Sequence, residues 1–416
     1  MDVGQPSDRQ MTLEIRLLSF STGLPHPLSE QPIVFITTKS LLLGHCNVVI
    51  EIVGDFLALL IIFPQALDDN EDMFFLVRWK KGEAHSMSLP GSQVVPSTSE
   101  WGAHLFFAFL SQDTLVFANH IQNILKVVKI VIDNADTPCL VPLCVLHLPP
   151  LAPQASINHL ACRAEPNPTG SGPSPFAIPA PSDRPFRDKA EDAIVMFTLF
   201  TFTPNRGRCQ FTFIVHRHAL FAHIPAALRA CAPFCSAPRP APPPVQVPWA
   251  AWGVPATRWF EGDPASMRWI TTTAGQRSVT MENGGLTPII VRDFNPYAVR
   301  AARALAAASG NSHKGNWSKE LPNGNRMTLK VEDSVIAAGS EFEEDVRSSL
   351  PYVEIVTQAK YRYEGVLIDE ERILGLKVRF ESSCHDPCIS RIDPPFFLQI
   401  SHDSPWISSF DVHVLG

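Results

Sequence analysis

Apolar residues in this chain come in short runs. Each is entered from a turn that carries an acidic residue, and each is followed by a second run. Gly54-Asp55 leads into Phe56-Leu57-Ala58-Leu59-Leu60, and Phe74-Phe75-Leu76-Val77 follows, closing on Arg78-Trp79-Lys80-Lys81-Gly82. Ser111-Gln112-Asp113 leads into Thr114-Leu115-Val116-Phe117, followed by Leu125 to Val131. Asp369-Glu370-Glu371-Arg372 leads into Ile373-Leu374-Gly375-Leu376, and Phe410 to Leu415 follows near the end. Runs this short, bounded by turn residues, predict strands rather than helices. A weak repeat of paired strands predicts a mainly β fold: a divergent, WD-repeat-like β-propeller whose ring the pattern does not complete.

The same pattern divides the chain. Residues 1–164 read as propeller-like β-repeats, 165–189 as a Pro-rich loop and 190–230 as strands. Residues 231–248 read as a Pro-rich linker, 249–376 as further repeats with one short helix, and 377–416 as an irregular insertion with a terminal strand. Within these, 11–63 reads as two strands around a Gly-, Pro- and Ser-rich loop, and 104–132 as two more, broken near Asn119-His120. Phe211–Phe221 reads as one strand. Asn323-Gly324 is a strong hairpin signal between Trp317 and Val331. The single expected helix spans Pro296 to Ser309: proline suits its first turn, alanines its body and Gly310 its stop.

Composition narrows the class. Thirty-eight prolines in 416 residues, against roughly 5% on average, disfavour long helices and favour turns and linkers. A net charge of −7 gives no electrostatic footprint for nucleic acid or an anionic membrane, so neither partner is expected. The apolar run Val48–Phe63 carries Glu51 and Asp55 and falls short of a membrane helix; a buried strand pair is expected there. Nine irregularly spaced cysteines behind a polar N-terminus point to reduced thiols and a cytoplasmic or nuclear protein.

Candidate chemistry is sparse. Cys384-x-x-x-Cys388 with His385, and Cys231-x-x-x-Cys235, have the residue types of a zinc site, but free thiols are the simpler reading. His216 and His218 would share a strand face with His223 nearby, and no carboxylate stands beside them. Asp369-Glu370-Glu371 fits a turn, and the run Glu341–Asp345 fits a solvated loop. Trp249, Trp252, Trp259 and Trp269 fit core positions. The Asn316-Trp317-Ser318 sequon reads as coincidence without an export signal. No nucleophile elbow, phosphate loop or dinucleotide fingerprint occurs. No catalytic, cofactor-binding or metal-ligating residue is therefore assigned, and no cofactor is expected.

Several phrases resemble the F-box proteins of mushroom-forming (basidiomycete) fungi. They are Gly54–Leu59, Arg78–Gly82, Arg268–Arg277, Val291–Tyr297, Leu350–Glu354 and Gly365–Ile373. Members of that family open with a helical F-box that docks on the adaptor of a cullin–RING ubiquitin ligase. A propeller-like region then presents substrates. The resemblance implies a non-enzymatic substrate-recognition scaffold with an unidentified protein partner. No F-box opening is recognisable in residues 1–45, so direct adaptor binding is not expected. The rival readings are a propeller hydrolase or lyase, and a non-functional gene fragment.

Overall fold

The computed structural model describes residues 10–39, 47–62, 73–87, 106–165, 167–168, 190–229, 243–262, 272–282, 285–310, 315–369, 371–379 and 406–414. The protein is mainly β. In chain order the first strands are β1 (Gln10–Arg16), β2 (Ile33–Lys39), β3 (Asn47–Val53), β4 (Phe56–Ile62), β5 (Met73–Arg78) and β6 (Glu83–Met87). Next come β7 (Phe106–Ser111), β8 (Thr114–Asn119), β9 (Ile124–Ile132), β10 (Pro138–His147), β11 (Ser156–Arg163), β12 (Ile194–Thr203) and β13 (Gly207–His216). Helices α1 (Arg217–Phe221) and α2 (Ala226–Arg229), strand β14 (Val245–Val247) and helix α3 (Trp249–Ala256) follow. Then come β15 (Thr257–Glu261), β16 (Thr273–Ala274), β17 (Arg277–Met281), β18 (Thr287–Asp293) and α4 (Pro296–Ala308). The last strands are β19 (Trp317–Glu320), β20 (Arg326–Lys330), β21 (Ser334–Ile336), β22 (Val346–Ser348), β23 (Tyr352–Tyr361), β24 (Gly365–Ile368), β25 (Arg372–Arg379) and β26 (Trp406–Val414).

Most of these strands fold as consecutive meanders. The sheet orders are β3-β4-β5-β6, β14-β10-β9-β8-β7, β11-β12-β13-β15, β16-β17-β18-β23-β20-β19 and β24-β25-β26, with two-stranded β1-β2 and β21-β22. The chain forms two compact units. One comprises residues Met1–Val145, Asn167–Pro175 and Ile224–Gln246; the other comprises Leu146–Pro166, Phe176–His223 and Val247–Gly416.

In the first unit β4 is buried on both faces, which explains its unbroken apolar run. Leu57, Leu59 and Ile61 pack with Phe75 and Val77 of β5, and with Leu17, Val34 and Ile36 of the β1–β2 region. On β5, Phe74 meets Phe107 and Phe117 edge-on at 5.3 and 5.1 Å. Strand β3 lies beside β7, and the Glu51 carboxylate accepts from the Phe109 amide at 3.2 Å.

The second unit is built around stacked aromatics. Phe213 stacks on Phe197 and on Trp259, both at 4.7 Å. Trp249 meets Trp252 and Trp259 edge-on at 5.3 and 5.6 Å, and the Trp252 indole donates to the His147 carbonyl at 2.8 Å. Trp249, Trp252 and Trp259 are thus core residues; Trp269 lies outside the described residues. Among the described residues no carboxylate bonds the guanidinium of buried Arg258 of β15. The guanidinium donates instead to the carbonyls of Leu350 and Glu332, both at 2.8 Å.

Several expectations need correction. Residues 11–63 hold four strands, and 104–132 hold three, because each apolar run splits at a tight turn. Among the described residues there are four α-helices rather than one. Arg217–Phe221 is helical, so the strand ends at His216, where the buried Arg217 side chain reaches back to the Ala164 carbonyl at 2.5 Å. Trp249–Ala256 is helical despite Gly253 and Pro255, since the turn lets two indoles pack together. Helix α4 forms where expected, with Asn295 accepting from the Tyr297 amide at 2.8 Å as its N-cap. The β19–β20 hairpin also forms where expected, with Gly324 at φ 77°.

Gly253 is required by packing. A Cβ there would lie 2.0 Å from the Trp249 ring. Alanine normally gains about 1 kcal/mol over glycine in a helix, but here the collision decides the sign. Gly253→Ala is expected to destabilise the protein by roughly 1–3 kcal/mol, and Trp259→Ala by roughly 3–5 kcal/mol, read from urea midpoints. A neutral or stabilising Gly253→Ala would show that Trp249 does not sit over this turn.

Candidate interaction site

Two of the turns singled out by sequence close on each other in the first unit. Arg78 ends β5, and its carbonyl accepts from the amides of Lys81 and Gly82, each at 2.9 Å. Gly82 has φ 75°, and a Cβ on it would lie 2.4 Å from the Gln31 side chain, so both the turn and the neighbouring loop require glycine. The buried Trp79 indole donates to the Gly54 carbonyl at 2.8 Å. Lys80 pairs with Asp55 of the β3–β4 turn and lies 5.6 Å from the centre of the Trp79 ring. Asp113 holds the equivalent place in the next sheet and pairs with buried Lys129 of β9 at 3.4 Å. Asp369 accepts from the amides of Glu371 and Arg372 at 2.7 and 2.6 Å, so this acidic stretch is a turn as expected.

Arg78 and Lys81 also reach the β9–β10 turn. Arg78 meets the Asp136 carboxylate at 2.7 Å and the Asp136 carbonyl at 3.1 Å, and Lys81 meets the other carboxylate oxygen at 2.7 Å. Asp136 adopts φ 60°. The turn is shaped by Asp133, whose carboxylate accepts from the amides of Ala135 and Thr137, both at 2.9 Å. Hydrogen bonds from Lys81 and Arg78 hold the Asp136 carboxyl below the usual carboxylate range.

Beside this clamp runs an open groove of about 470 Å³, lined by Ala84, His85, Ser86 and Met87 of β6 and by Thr137, Pro138, Cys139 and Leu140. Four successive residues on each side mean that the groove follows the strands. Among the described residues strand β6 is the last of its sheet. His85 Nε2 is enclosed there without a hydrogen-bond partner. Burial, together with the Asp133 charge, pushes the Cys139 thiol up, which keeps it protonated and a poor nucleophile. The groove therefore offers apolar contact, a ring nitrogen, a hydroxyl and a strand edge.

Elsewhere the sequence candidates separate. His216 ends β13, buried, with its Nδ1 2.9 Å from the Asp192 carbonyl; burial lowers its pKa. His218 lies on α1, more than half exposed, 3.7 Å from the Asp192 carboxylate, and its ring stacks on His216 at 5.1 Å. A carboxylate therefore does stand beside this pair, contrary to expectation. The run Glu341–Asp345 is a solvated loop only in part: Glu343, Glu344 and Asp345 are exposed, but its first two residues are not. Glu341 is 5% exposed and Phe342 is 2% exposed. Arg206 meets the Glu341 carboxylate at 3.2 Å, and the Cys209 thiol donates to it at 3.2 Å. Burial pushes the Glu341 carboxyl up, but hydrogen bonds from Ser340 and Cys209 and the Arg206 charge bring it below its ordinary value. Phe342 packs on Phe211 and Trp259, and this contact draws the acidic residue in.

Among the described residues no group of three or more His, Cys, Asp or Glu is arranged to hold a metal ion. The cysteine pairs Cys384/Cys388 and Cys231/Cys235, with His385, lie outside them. Described Cys139, Cys144, Cys162 and Cys209 are free thiols; burial pushes Cys144 up to about 12. No described helix is long and apolar enough to cross a membrane. No protein-family model, curated protein or solved structure matches the chain.

The Asp136 clamp makes a signed pH prediction. A carboxyl with a lowered folded-state pKa contributes stability above its unfolded pKa and loses it as pH falls through the folded value. Asp136→Asn should lower the melting temperature at neutral pH. The gap to wild type should close as pH drops below about 4, and it should shrink with added salt. A gap that persists in acid would mean that Asp136 acts through its turn geometry and not through its charge.

Proposed function

We propose that the protein is a non-enzymatic protein-interaction scaffold. Its sheets are blades of a divergent, incomplete propeller, and its role is substrate recognition for a cullin–RING ubiquitin ligase. The observation that carries this reading is that the resemblance-bearing phrases meet in space. Gly54–Leu59 and Arg78–Gly82 are joined through Trp79 and Lys80. Thr273–Arg277, Val291–Tyr297 and Leu350–Glu354 are joined through the β17–β18–β23 ladder, the Phe294 amide on the Gln276 carbonyl at 2.9 Å and the Phe294–Tyr352 stack at 5.1 Å. Shared phrases that build a connected framework within each unit are what a common fold requires.

Two further observations support blades. First strands of successive sheets lie side by side: β3 beside β7 in one unit, and β16 beside β24 in the other. In the first unit Val48, Ile50 and Ile52 pair in register with Ile61, Leu59 and Leu57 and so share their face. The β1–β2 region covers that face over β4 and β5. Yet the three β3 side chains stay 44%, 49% and 46% exposed. A half-blade of two strands leaves such a strip unsealed. The edge of β6 with its groove suits an extended segment of a bound protein, which can add main-chain hydrogen bonds to a free strand edge.

A photo-crosslinking residue in place of Ser86 is expected to trap a specific protein partner, whereas one in place of Arg347 in the other unit is not. Equal trapping at both positions, or none, would remove the scaffold reading. Turnover of ester or peptide substrates by the purified chain would replace it with the hydrolase alternative. Purified ligase adaptor mixed with residues 1–416 is expected not to co-elute. A stoichiometric, salt-resistant complex would reveal a docking element in the chain.

A further inference from the structure

Helix α4 covers one face of the β19–β20–β23 part of its sheet. Val299 and Ala302 pack on Leu329 and Val353, with Trp317, Met327 and Ile355 around them. The opposite side of the helix has no described cover. Tyr297 is 74% exposed and Arg300 and Arg303 beside it are exposed as well, while Leu305, 45% exposed, lies on the other flank, two residues from Arg303. The Arg300 guanidinium lies 4.3 Å from the centre of the Tyr297 ring.

The charge on the helix itself is one-signed. The thirteen residues of α4 include two arginines and no carboxylate. Among the described residues neither Arg300 nor Arg303 has an ion-pair partner. Spaced three apart, they are neighbours on the helix surface, where like charges cost folding stability. The sheet beneath extends the pattern. Lys319 pairs in register with Met327, and Trp317 with Leu329, so Lys319 lies on the helix-covered face. By strand alternation Glu320 and Glu354 fall on the other face, and Glu354 pairs there with Arg292 at 3.5 Å. A chain of net charge −7 thus presents three cations here; the carboxylate that register places on the same face, Asp293, is taken up by the Asn295 amide at 2.8 Å and by Arg277 at 3.6 Å.

Such a surface carries the residue types, tyrosine and arginine, in which binding hot spots are enriched. The Arg300 guanidinium lies over the exposed Tyr297 ring, and guanidinium groups take carboxylates in bidentate pairs. We propose that the outer face of α4 docks an acidic segment of a partner protein, with carboxylates on Arg300 and Arg303 and an apolar side chain against the Tyr297 ring. This inference rests on the scaffold reading and names the chemistry of one partner contact.

The test uses the full chain and a fluorescein-labelled peptide of repeated Glu-Glu-Leu triplets, followed by fluorescence anisotropy. A matching Lys-Lys-Leu peptide serves as control. Saturable binding of the acidic peptide alone is expected. Arg300→Glu with Arg303→Glu should weaken it about tenfold or more, Tyr297→Ala should weaken it measurably, and Arg347→Glu should leave it unchanged. Unaltered melting of the double variant excludes misfolding. A variant that melts early is replaced by Arg300→Gln with Arg303→Gln, for which the same weakening is expected. No saturable binding, or equal binding by wild type and variant, overturns the proposal. So does arginine-dependent binding of anionic phospholipid vesicles or single-stranded DNA without binding of the peptide. If the Ser86 crosslink persists while peptide binding fails, only the α4 assignment falls. If the crosslink fails too, the scaffold reading falls with it.

Discussion

Asp55 and Asp113 each stand in the turn between the first two strands of a sheet, and each pairs with a lysine at the third strand: Lys80 just beyond β5, Lys129 within β9. This link ties a turn to a strand that arrives later in the chain. The tie matters because strand register has a period of two. A slip of one residue would turn Leu57, Leu59 and Ile61 away from the core and bring Ala58, Leu60 and Ile62 into their place. In β4 both faces are buried, so hydrophobicity alone barely distinguishes the two registers. The polar ties supply what the apolar pattern cannot. Exposed ion pairs contribute at most about 1 kcal/mol each, so Lys80–Asp55 is a weak tie by itself. The indole bond from Trp79 to the Gly54 carbonyl and the buried position of Lys129 strengthen the same restraint.

The second unit solves the problem differently. Its strands are pinned by aromatic stacking and by arginines bonded to carbonyls. Arg258 grips Leu350 and Glu332, and Arg217 grips Ala164. Burial lowers the Arg258 pKa, opposed by Tyr352 and Asp333. A guanidinium bound to carbonyls in the interior gains little net stability over an apolar residue of similar shape, but its fixed fork tolerates only one arrangement of the segments around it. The cost of burying the charge is offset by selecting that arrangement over near-alternatives.

Strands and their turns were legible because period and punctuation are local. Gly82, Asp369 and Asn323-Gly324 mark turns through backbone demands that each residue type meets on its own. Helix α4 was legible for the same reason, from Pro296, its alanines and Gly310. Helices α1 and α3 were not. Arg217–Phe221 continues an apolar run, and Trp249–Ala256 contains Gly253 and Pro255, so local propensity points away from helix in both. What decides them is tertiary: a bond to Ala164, and two indoles that must share a core. The candidate site divides in the same way. Arg78–Gly82 reads as a turn, but its partner Asp136 is 55 residues from Lys81, and no pattern in the chain announces that meeting.

Glu341 shows where charge misleads. A run of acidic residues reads as solvated because a sequence displays the charge and hides its partner. Phe342, within that run, is the overlooked signal: an aromatic residue amid carboxylates must either face water or carry its neighbours inward. Packing on Phe211 and Trp259 chooses the second course for Glu341 alone, while Glu343 to Asp345 stay exposed, and Arg206 then makes the one buried carboxylate tolerable. The reverse holds on α4, where two arginines lie exposed and no described carboxylate approaches them. Burial without a partner is costly and folding removes it; exposure without a partner is cheap and folding leaves it. Unmatched charge therefore collects on surfaces that folding does not use, and those are the surfaces left for another molecule.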